Sequence, residues 1–185
     1  MVAFFRKLNG SAVAKFWLVL ATVVGISGCS AAIEDYQNDT PKLALETFFN
    51  GDLVAYGTVQ DYSGKVIQRF RADIVGTWDG NSGVLDEVFY YADGTTDTRV
   101  WNLTKTGPNS YEGTAGDVEG VAKGTTAGNA LHWVYDLTIE MDGEPLTITL
   151  DDWMYLIDEN NMINRTTMYK FGLPVGEITL YIGKR

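Results

Sequence analysis

Residues 131–141 read Leu-His-Trp-Val-Tyr-Asp-Leu-Thr-Ile-Glu-Met, and their pattern indicates the fold class most clearly. Large apolar side chains occupy every second position along it, with mostly polar ones between them. Successive side chains of a β-strand point to opposite faces of a sheet, so a strand with one dry and one wet face has this pattern. The stretch is therefore predicted to be a strand with Trp133 and Tyr135 facing inward and His132 on the polar side.

The same period of two recurs from Asp52 to the end of the chain, in runs separated by turn sequences such as Asp93-Gly94 and Asp142-Gly143. Asp-Gly pairs favour tight hairpins because glycine tolerates positive φ. Nine or ten strands are predicted, at 53–60, 65–78, 84–91, 97–105, 110–116, 118–126, 130–141, 145–156, 162–170 and 176–183. The predicted fold is an all-β antiparallel up-and-down meander closed into a lipocalin-like barrel, since closure removes exposed edges. A two-sheet sandwich is the alternative.

The residues before the first strand carry a helix signal. Thr40-Pro41 offers an N-cap followed by proline at the first helical position, and Asn50-Gly51 is a stop. A short helix, or one or two looser turns, is predicted for residues 41–49, whereas the polar, unpatterned residues 31–40 predict a tether. The predicted domains are a signal peptide at 1–28, a lipidated tether at 29–40 and a single barrel at 41–185.

The first 28 residues have the features of an export signal. A basic start precedes an apolar run at 16–26, which is too short to span a membrane because a spanning helix takes about 20 residues. The run ends in Ile26-Ser27-Gly28-Cys29, which resembles the lipobox of bacterial lipoproteins. That resemblance implies cleavage before Cys29 and a membrane anchor of acyl chains on Cys29. An ordinary signal peptide or short anchor with an incidental cysteine is the alternative.

The residue after the cysteine bears on localisation. Ser30 is not aspartate, and by the lipoprotein sorting rule of Gram-negative bacteria this implies transport to the outer membrane. The protein is therefore expected on the periplasmic face of the outer membrane. Acylation would also consume the only cysteine in the chain and leave a folded body without a thiol.

Composition excludes several classes of function. The 185 residues include one cysteine and one histidine, and 14 Lys+Arg against 24 Asp+Glu give a formal net charge of −10. A single cysteine forms no intrachain disulfide, and the usual zinc motifs need more cysteines or histidines. An acidic chain lacks the basic face that nucleic-acid binding requires. No metal, cofactor or nucleic-acid partner is therefore expected.

Aromatic side chains predicted to point inward form the candidate ligand site. Its members are Trp78, Trp101, Trp133 and Tyr135. Cavities with aromatic walls and one or two polar groups suit small apolar ligands. The site is therefore predicted to hold an apolar or amphipathic molecule such as a fatty acyl chain, the alternative being that these side chains simply fill the barrel.

Two polar side chains are candidates for the polar end of that site. By alternation Asp152 lies on the inner side of its strand, where a carboxylate must be paired, hydrogen-bonded or solvated. An inward Arg165 could pair in bidentate fashion with Asp151 or Asp152 across a neighbouring strand. Arg165 is thus either half of a structural salt bridge or the partner of a ligand headgroup.

The sequence contains no pattern typical of catalysis. His132 has no serine or cysteine nearby to activate, and Asp151 and Asp152 point to opposite faces of one strand, which prevents them from acting as a catalytic pair. Gly76-Thr77-Trp78 matches the Gly-x-Trp of lipocalins, but it ends the second strand instead of beginning the first. No catalytic residue is therefore assigned.

Several segments together resemble a known family. They are Phe48-Phe49-Asn50-Gly51, Gln60-Asp61-Tyr62-Ser63-Gly64-Lys65, Gly76-Thr77-Trp78-Asp79-Gly80, Leu85-Asp86-Glu87, Asp151-Asp152-Trp153-Met154 and Asn164-Arg165-Thr166-Thr167-Met168-Tyr169-Lys170-Phe171-Gly172. From about Pro41 to its end, the chain is similar to domain-of-unknown-function family 3833 of Gram-negative lipoproteins. The resemblance implies a single-domain envelope lipoprotein and supplies no catalytic residues.

Three functions follow from these observations, and a binding module is favoured. It would hold a fatty acyl or lipid-like small molecule in the barrel. The second is a non-catalytic scaffold lipoprotein whose acidic outer face docks an unidentified envelope protein. The third, an enzyme acting on lipid or glycan, is least favoured because no nucleophile with its base is visible.

Overall fold

Ten β-strands, each paired with the next along the chain, form the body of the protein. The structure, a computed structural model, describes residues 30–141 and 143–185. The strands are β1 (Gly51–Asp61), β2 (Val66–Asp79), β3 (Ser82–Tyr91), β4 (Thr96–Lys105), β5 (Ser110–Thr114), β6 (Val118–Ala127), β7 (Ala130–Met141), β8 (Glu144–Asp158), β9 (Asn161–Lys170) and β10 (Leu173–Lys184). Because β1 also pairs with β10, the antiparallel sheet closes into a barrel. The predicted all-β barrel of nine or ten strands is confirmed.

Alternation along each strand separates the inside of the barrel from the outside. On β7, Leu131, Trp133 and Leu137 are buried, whereas Val134 and Asp136 are exposed. The other strands supply further buried apolar side chains, namely Leu53, Ile74, Leu85, Leu103, Leu156, Met162 and Ile182. Burying a side chain of this size stabilises a fold by about 1.5–3 kcal/mol, so the interior pattern fixes the register of the sheet.

The segment before β1 closes the end of the barrel at which β1 begins. Its four-residue helix α1 (Leu45–Phe48) buries Leu45 and Phe48 in the core. The helix is shorter than the predicted 41–49, because the backbone of its N-cap, Ala44, is extended (φ −128, ψ 120). The backbone N–H of Leu43, just before it, donates to the Gly128 carbonyl at 2.8 Å and fastens this segment to the β6–β7 turn.

Residues 32–40 differ from the predicted tether because they pack on the barrel. They contain a 3₁₀ helix (Ile33–Tyr36), and the Tyr36 ring lies 5.9 Å from that of Trp153 and 5.5 Å from that of Tyr155, measured between centroids. Gly128, at φ +52, leaves space for the Tyr36 backbone that a side chain would fill. The compact unit accordingly runs from Ala32 to Arg185.

The predicted export signal and lipid anchor lie in the part of the chain before residue 30. The predicted signal peptide at 1–28 and Cys29 lie outside the described residues. Within residues 30–141 and 143–185, the structure has no helix that is both long and apolar enough to cross a membrane.

Candidate functional site

A cavity of about 160 Å³ lies inside the barrel. Leu45 and Phe49 of the N-terminal segment line it at the closed end. The wall is mainly apolar, and its aromatic members are Phe49, Phe70, Phe89, Trp101, Trp133 and Tyr135. The polar members are Glu87, Arg99, Asp152, Asn164 and Thr166. An engineered cavity of about 150 Å³ in another protein holds benzene, so this space suits a single-ring molecule without rearrangement.

Three of the four aromatic residues predicted for the site lie in the cavity wall. Trp101 stacks on Trp133 with ring centroids 6.3 Å apart, and its edge contacts Tyr135 at 5.5 Å. Trp78, the fourth, does not line the cavity. Its Nε1–H donates to the Phe49 carbonyl at 3.1 Å, so Trp78 fastens the N-terminal segment to the closed end.

Glycines on neighbouring strands make room for these rings. Gly124 lies opposite Trp133 in the β6–β7 pairing, and a Cβ there would come within 2.7 Å of the indole. A Cβ at Gly113 would be 3.2 Å from the Trp101 ring. Each indole thus lies flat over a glycine instead of extending across the barrel, which helps to keep the interior open.

Asp152 is buried in the wall, as its place in the alternation predicts, and is only 5% exposed. Its Oδ1 accepts hydrogen bonds from the Asn164 amide and from Thr166 Oγ1, the latter at 3.1 Å. Its Oδ2 lies 3.5 Å from the Tyr135 hydroxyl. Burial raises the pKa of Asp152 to about 6 even though these donors favour the ionised form.

Arg165 is not in the cavity, contrary to the prediction that it points inward to pair with Asp151 or Asp152. Its side chain is 64% exposed, and Nη2 donates to Glu177 at 2.8 Å on the outer face. The reason is the alternation on β9, because Asn164 and Thr166 on either side are buried. With polar residues on the inner side, sequence alone does not reveal which face of this strand is dry.

Asp151 is likewise on the outside of the barrel. Its Oδ1 lies 2.8 Å from Nε2 of His132, and the imidazole stacks on Trp153 with centroids 4.2 Å apart. This contact connects β7 to β8 on the outer face. His132 therefore has a partner on the polar side, where the sequence places it.

Sequence reasoning missed two charged residues of the cavity, Glu87 and Arg99. They are cross-strand partners on β3 and β4, and both line the cavity. A signal for Glu87 was present, because it lies two positions from both Leu85 and Phe89 and so shares their inner face. Burial raises the pKa of the Glu87 carboxyl to about 7.

Arg99 is held by partners within its own corner of the barrel. Nε donates to the two Asp117 oxygens at 3.1 and 2.9 Å, and Nη2 donates to Oδ2 at 2.6 Å. The guanidinium also lies 5.5 Å from the centroid of the Phe89 ring. Arg99 and Asp117 thus form a neutral, bidentate pair beside Glu87.

The described residues contain no group of three or more His, Cys, Asp or Glu side chains that could hold a metal ion. What the cavity offers is an aromatic surface, hydrogen-bonding groups and two carboxyls in a confined space. Such a site is suited to binding a small molecule.

Comparison with known sequences places the chain in a family. A family model described as protein of unknown function, DUF3833, matches residues 23–184. The chain belongs to this family. No protein in a search of curated sequences matches it.

Two of the solved structures that match this chain have low sequence identity to it. The S-type phycobiliprotein lyase CPES from Guillardia theta superposes with a TM-score of 0.55 at 10% identity, over 84% of this chain and 98% of the lyase. A redesigned β-barrel has a TM-score of 0.40 at 8% identity, over 78% of this chain and 99% of the design. The resemblance to the lyase shows a lipocalin-like fold.

Proposed function

We propose that this protein binds an apolar or amphipathic small molecule in its barrel cavity. The observation that carries the proposal is the cavity of about 160 Å³, whose wall combines aromatic rings with a few buried polar groups. A barrel built only for stability would fill this space, because protein interiors are close-packed and voids cost free energy. Here Trp101 and Trp133 lie against the wall instead.

The size of the cavity restricts the fatty acyl or lipid-like ligand that the sequence favours. Ligand pockets commonly enclose about 300–1,000 Å³, whereas this cavity has about 160 Å³. A lipid-like ligand would therefore be short, or would leave part of its chain outside the barrel. The cavity volume restricts the apolar part of the ligand, whereas the charges around the cavity restrict its polar headgroup.

We also propose that acyl chains on Cys29 hold the protein on the periplasmic face of the outer membrane. The support is the sequence Ile26-Ser27-Gly28-Cys29-Ser30. Because the folded unit begins at Ala32, only Ser30 and Ala31 lie between it and Cys29 along the chain. The three Cα–Cα steps from Cys29 to Ala32 span at most about 10 Å, so an acylated protein would be held close to the membrane surface.

Ligand binding is tested by native mass spectrometry of the full-length protein purified from its own host in mild detergent. The wild type is expected to carry a small molecule beyond any acyl chains. Ala72→Leu adds bulk to the cavity wall and should abolish this extra mass, whereas Val75→Leu, on the outer face of the same strand, should retain it. A wild type repeatedly free of extra mass would refute the proposal.

Anchoring is tested separately by Cys29→Ser. The variant should lose the mass of the acyl chains and move from the membrane fraction to the soluble fraction. A variant that stays in the membrane fraction would exclude Cys29 as the anchor.

A further inference from the structure

The charges around the cavity do not balance. Glu87, Asp117 and Asp152 provide three carboxyl groups, and Arg99 is the one cation among the described residues that line the cavity. Arg99 is neutralised by Asp117, which leaves Glu87 and Asp152 as additional acidic groups. A charge withdrawn from water without a counter-charge is costly, so a proton or a cation in this space is favourable.

Of the two additional carboxyls, Glu87 is the less satisfied. Asp152 accepts hydrogen bonds from Asn164 and Thr166. Within the described part of the chain, no donor hydrogen-bonds the Glu87 carboxyl, and the Nε and Nη2 groups of its neighbour Arg99 bond to Asp117. Glu87 therefore faces the cavity with its hydrogen-bonding capacity unused.

Aromatic rings stand beside this free carboxyl. Trp101 and Tyr135 line the same cavity, with Trp133 and Phe89 next to them. The negative faces of aromatic rings attract cations, and indole does so most strongly. A carboxylate combined with several aromatic rings is a site suited to an organic cation with an apolar body.

We propose that the cavity is selective for small amines in their protonated form, with the ammonium group at Glu87 and the apolar body against Trp101 and Trp133. This inference rests on the proposed function and specifies the polar group of the ligand. It reverses the expectation that an inward arginine meets a ligand carboxylate, because Arg165 is outside and Arg99 is already paired. The cavity volume restricts the enclosed part to about one ring.

Binding of such a cation is coupled to a proton. The charged and titratable groups that act on Glu87 are Arg99 on β4, Asp117 before β6, Asp152 on β8, and Asp86 on its own strand. In the empty protein, burial raises the pKa of Glu87 to about 7, so near neutral pH part of the population is protonated. An ammonium ligand requires the ionised form, so the proton leaves as the ligand enters.

The test uses three probes that share one ring and differ in charge: benzylamine, benzyl alcohol and benzoate. The full-length protein is titrated with each at pH 8 by isothermal calorimetry, with tryptophan fluorescence as a second readout. Benzylamine is expected to bind at least tenfold more tightly than the other two. Equal or tighter binding of benzoate or benzyl alcohol overturns the amine inference and leaves the proposed function intact, whereas saturable binding of none overturns both.

Two variants test whether the ammonium group binds at Glu87. Glu87→Gln keeps the shape of the side chain and removes its charge, so it should cancel the preference for benzylamine over benzyl alcohol. Asp86→Asn, one position away on the exposed outer face, should keep the preference. If Glu87→Gln retains the preference, or if both variants lose it equally, the assignment of the ammonium site to Glu87 is wrong.

The pH dependence of benzylamine affinity tests independently whether binding is coupled to the Glu87 proton. Given a Glu87 pKa of about 7, the affinity for benzylamine should fall about 30-fold from pH 8 to pH 5.5 as the carboxyl takes up its proton. The affinity for benzyl alcohol should stay constant over that range. A benzylamine affinity that does not change with pH would contradict the coupling.

Discussion

The raised pKa of Glu87 makes the stability of the protein depend on pH. The pKa of Glu87 is about 7 in the folded protein against an ordinary value of 4.5, so the folded state keeps a proton that the unfolded chain releases. The free energy of unfolding should therefore fall as pH rises from about 4.5 to about 7. Glu87→Gln removes this loss and should be more stable than wild type by up to about 3 kcal/mol at pH 8 and equal to it at pH 4.

Urea denaturation of wild type and variant at both pH values measures the effect. Asp86→Asn is the matched control, since its side chain is exposed on the opposite face of β3. The control should differ from wild type by less than about 0.5 kcal/mol at either pH. A Glu87→Gln variant that shows the same difference from wild type at pH 4 and pH 8 would contradict the raised pKa.

Two adjacent residues on β9 distinguish buried polar groups from exposed ones. Asn164 is 1% exposed and donates both to Asp152 and, at 3.1 Å, to the Trp153 carbonyl. Asn164→Ala removes a donor from each of these acceptors and should cost about 1–3 kcal/mol. Arg165→Ala removes an exposed ion pair and should cost less than about 1 kcal/mol in chemical denaturation. The reverse order would mean that Arg165 faces the interior.

At the scale of residues, the sequence predicts the inward positions where alternation is strong. Trp133 and Tyr135 on β7, and Asp152 on β8, lie among clear apolar neighbours, and their inward direction follows from the period of two. The prediction that Arg165 points inward was wrong because the inner face of β9 is partly polar. Glu87 was overlooked because an acidic residue in an alternating strand is ordinarily assigned to solvent, although its neighbours indicate otherwise.

Among the elements, the β6–β7 pair shows how strand composition shapes the cavity. Gly124 leaves the space that the Trp133 ring occupies, and an added Cβ would lie 2.7 Å from the indole. Gly124→Ala should push the ring into the cavity and destabilise the fold by about 1–3 kcal/mol. Thermal unfolding measures the loss, and near-ultraviolet circular dichroism should report a changed tryptophan environment.

Gly116 provides the control for that substitution. It lies in the turn between β5 and β6 and has no atom within 4 Å of the place where its Cβ would be. Gly116→Ala should change stability by no more than about 0.5 kcal/mol and leave the tryptophan signal intact. Equal effects of the two substitutions would show that backbone flexibility, not contact with the indole, is what glycine provides here.

The strands were the most predictable elements and the N-terminal segment the least. A strand with one dry face carries its period in its own residues, and all ten strands were located to within three residues. The length of α1 and the docking of residues 32–40 depend on partners far along the chain, such as Gly128 and Trp153. Local sequence does not predict such long-range contacts. The aromatic ring of Tyr36 within a polar stretch is the one feature that indicates packing on the barrel.

For the whole molecule, barrel closure and the N-terminal segment together create the enclosed space. Pairing of β1 with β10 closes the wall, and Leu45 and Phe49 cover one end. Because the wall is complete without a second subunit, the cavity is a property of one chain. The lining residues come from eight strands and the N-terminal segment, which explains why sequence alone does not bring Glu87 together with Asp117 and Asp152.

The extent of the folded body gives a prediction for the entire chain. Tyr36 packs against Trp153 and Tyr155, so residues 32–40 should resist proteolysis in the native protein. Tyr36→Ala should lower the free energy of unfolding by about 1–3 kcal/mol through lost aromatic contacts and open new cleavage sites within 32–40. Tyr62→Ala, at an exposed turn where the ring is 86% accessible, should do neither. Mass spectrometry of the fragments after brief digestion identifies the cleavage sites. If the wild type is cut within 32–40 at the same rate as the Tyr36→Ala variant, the segment is a tether.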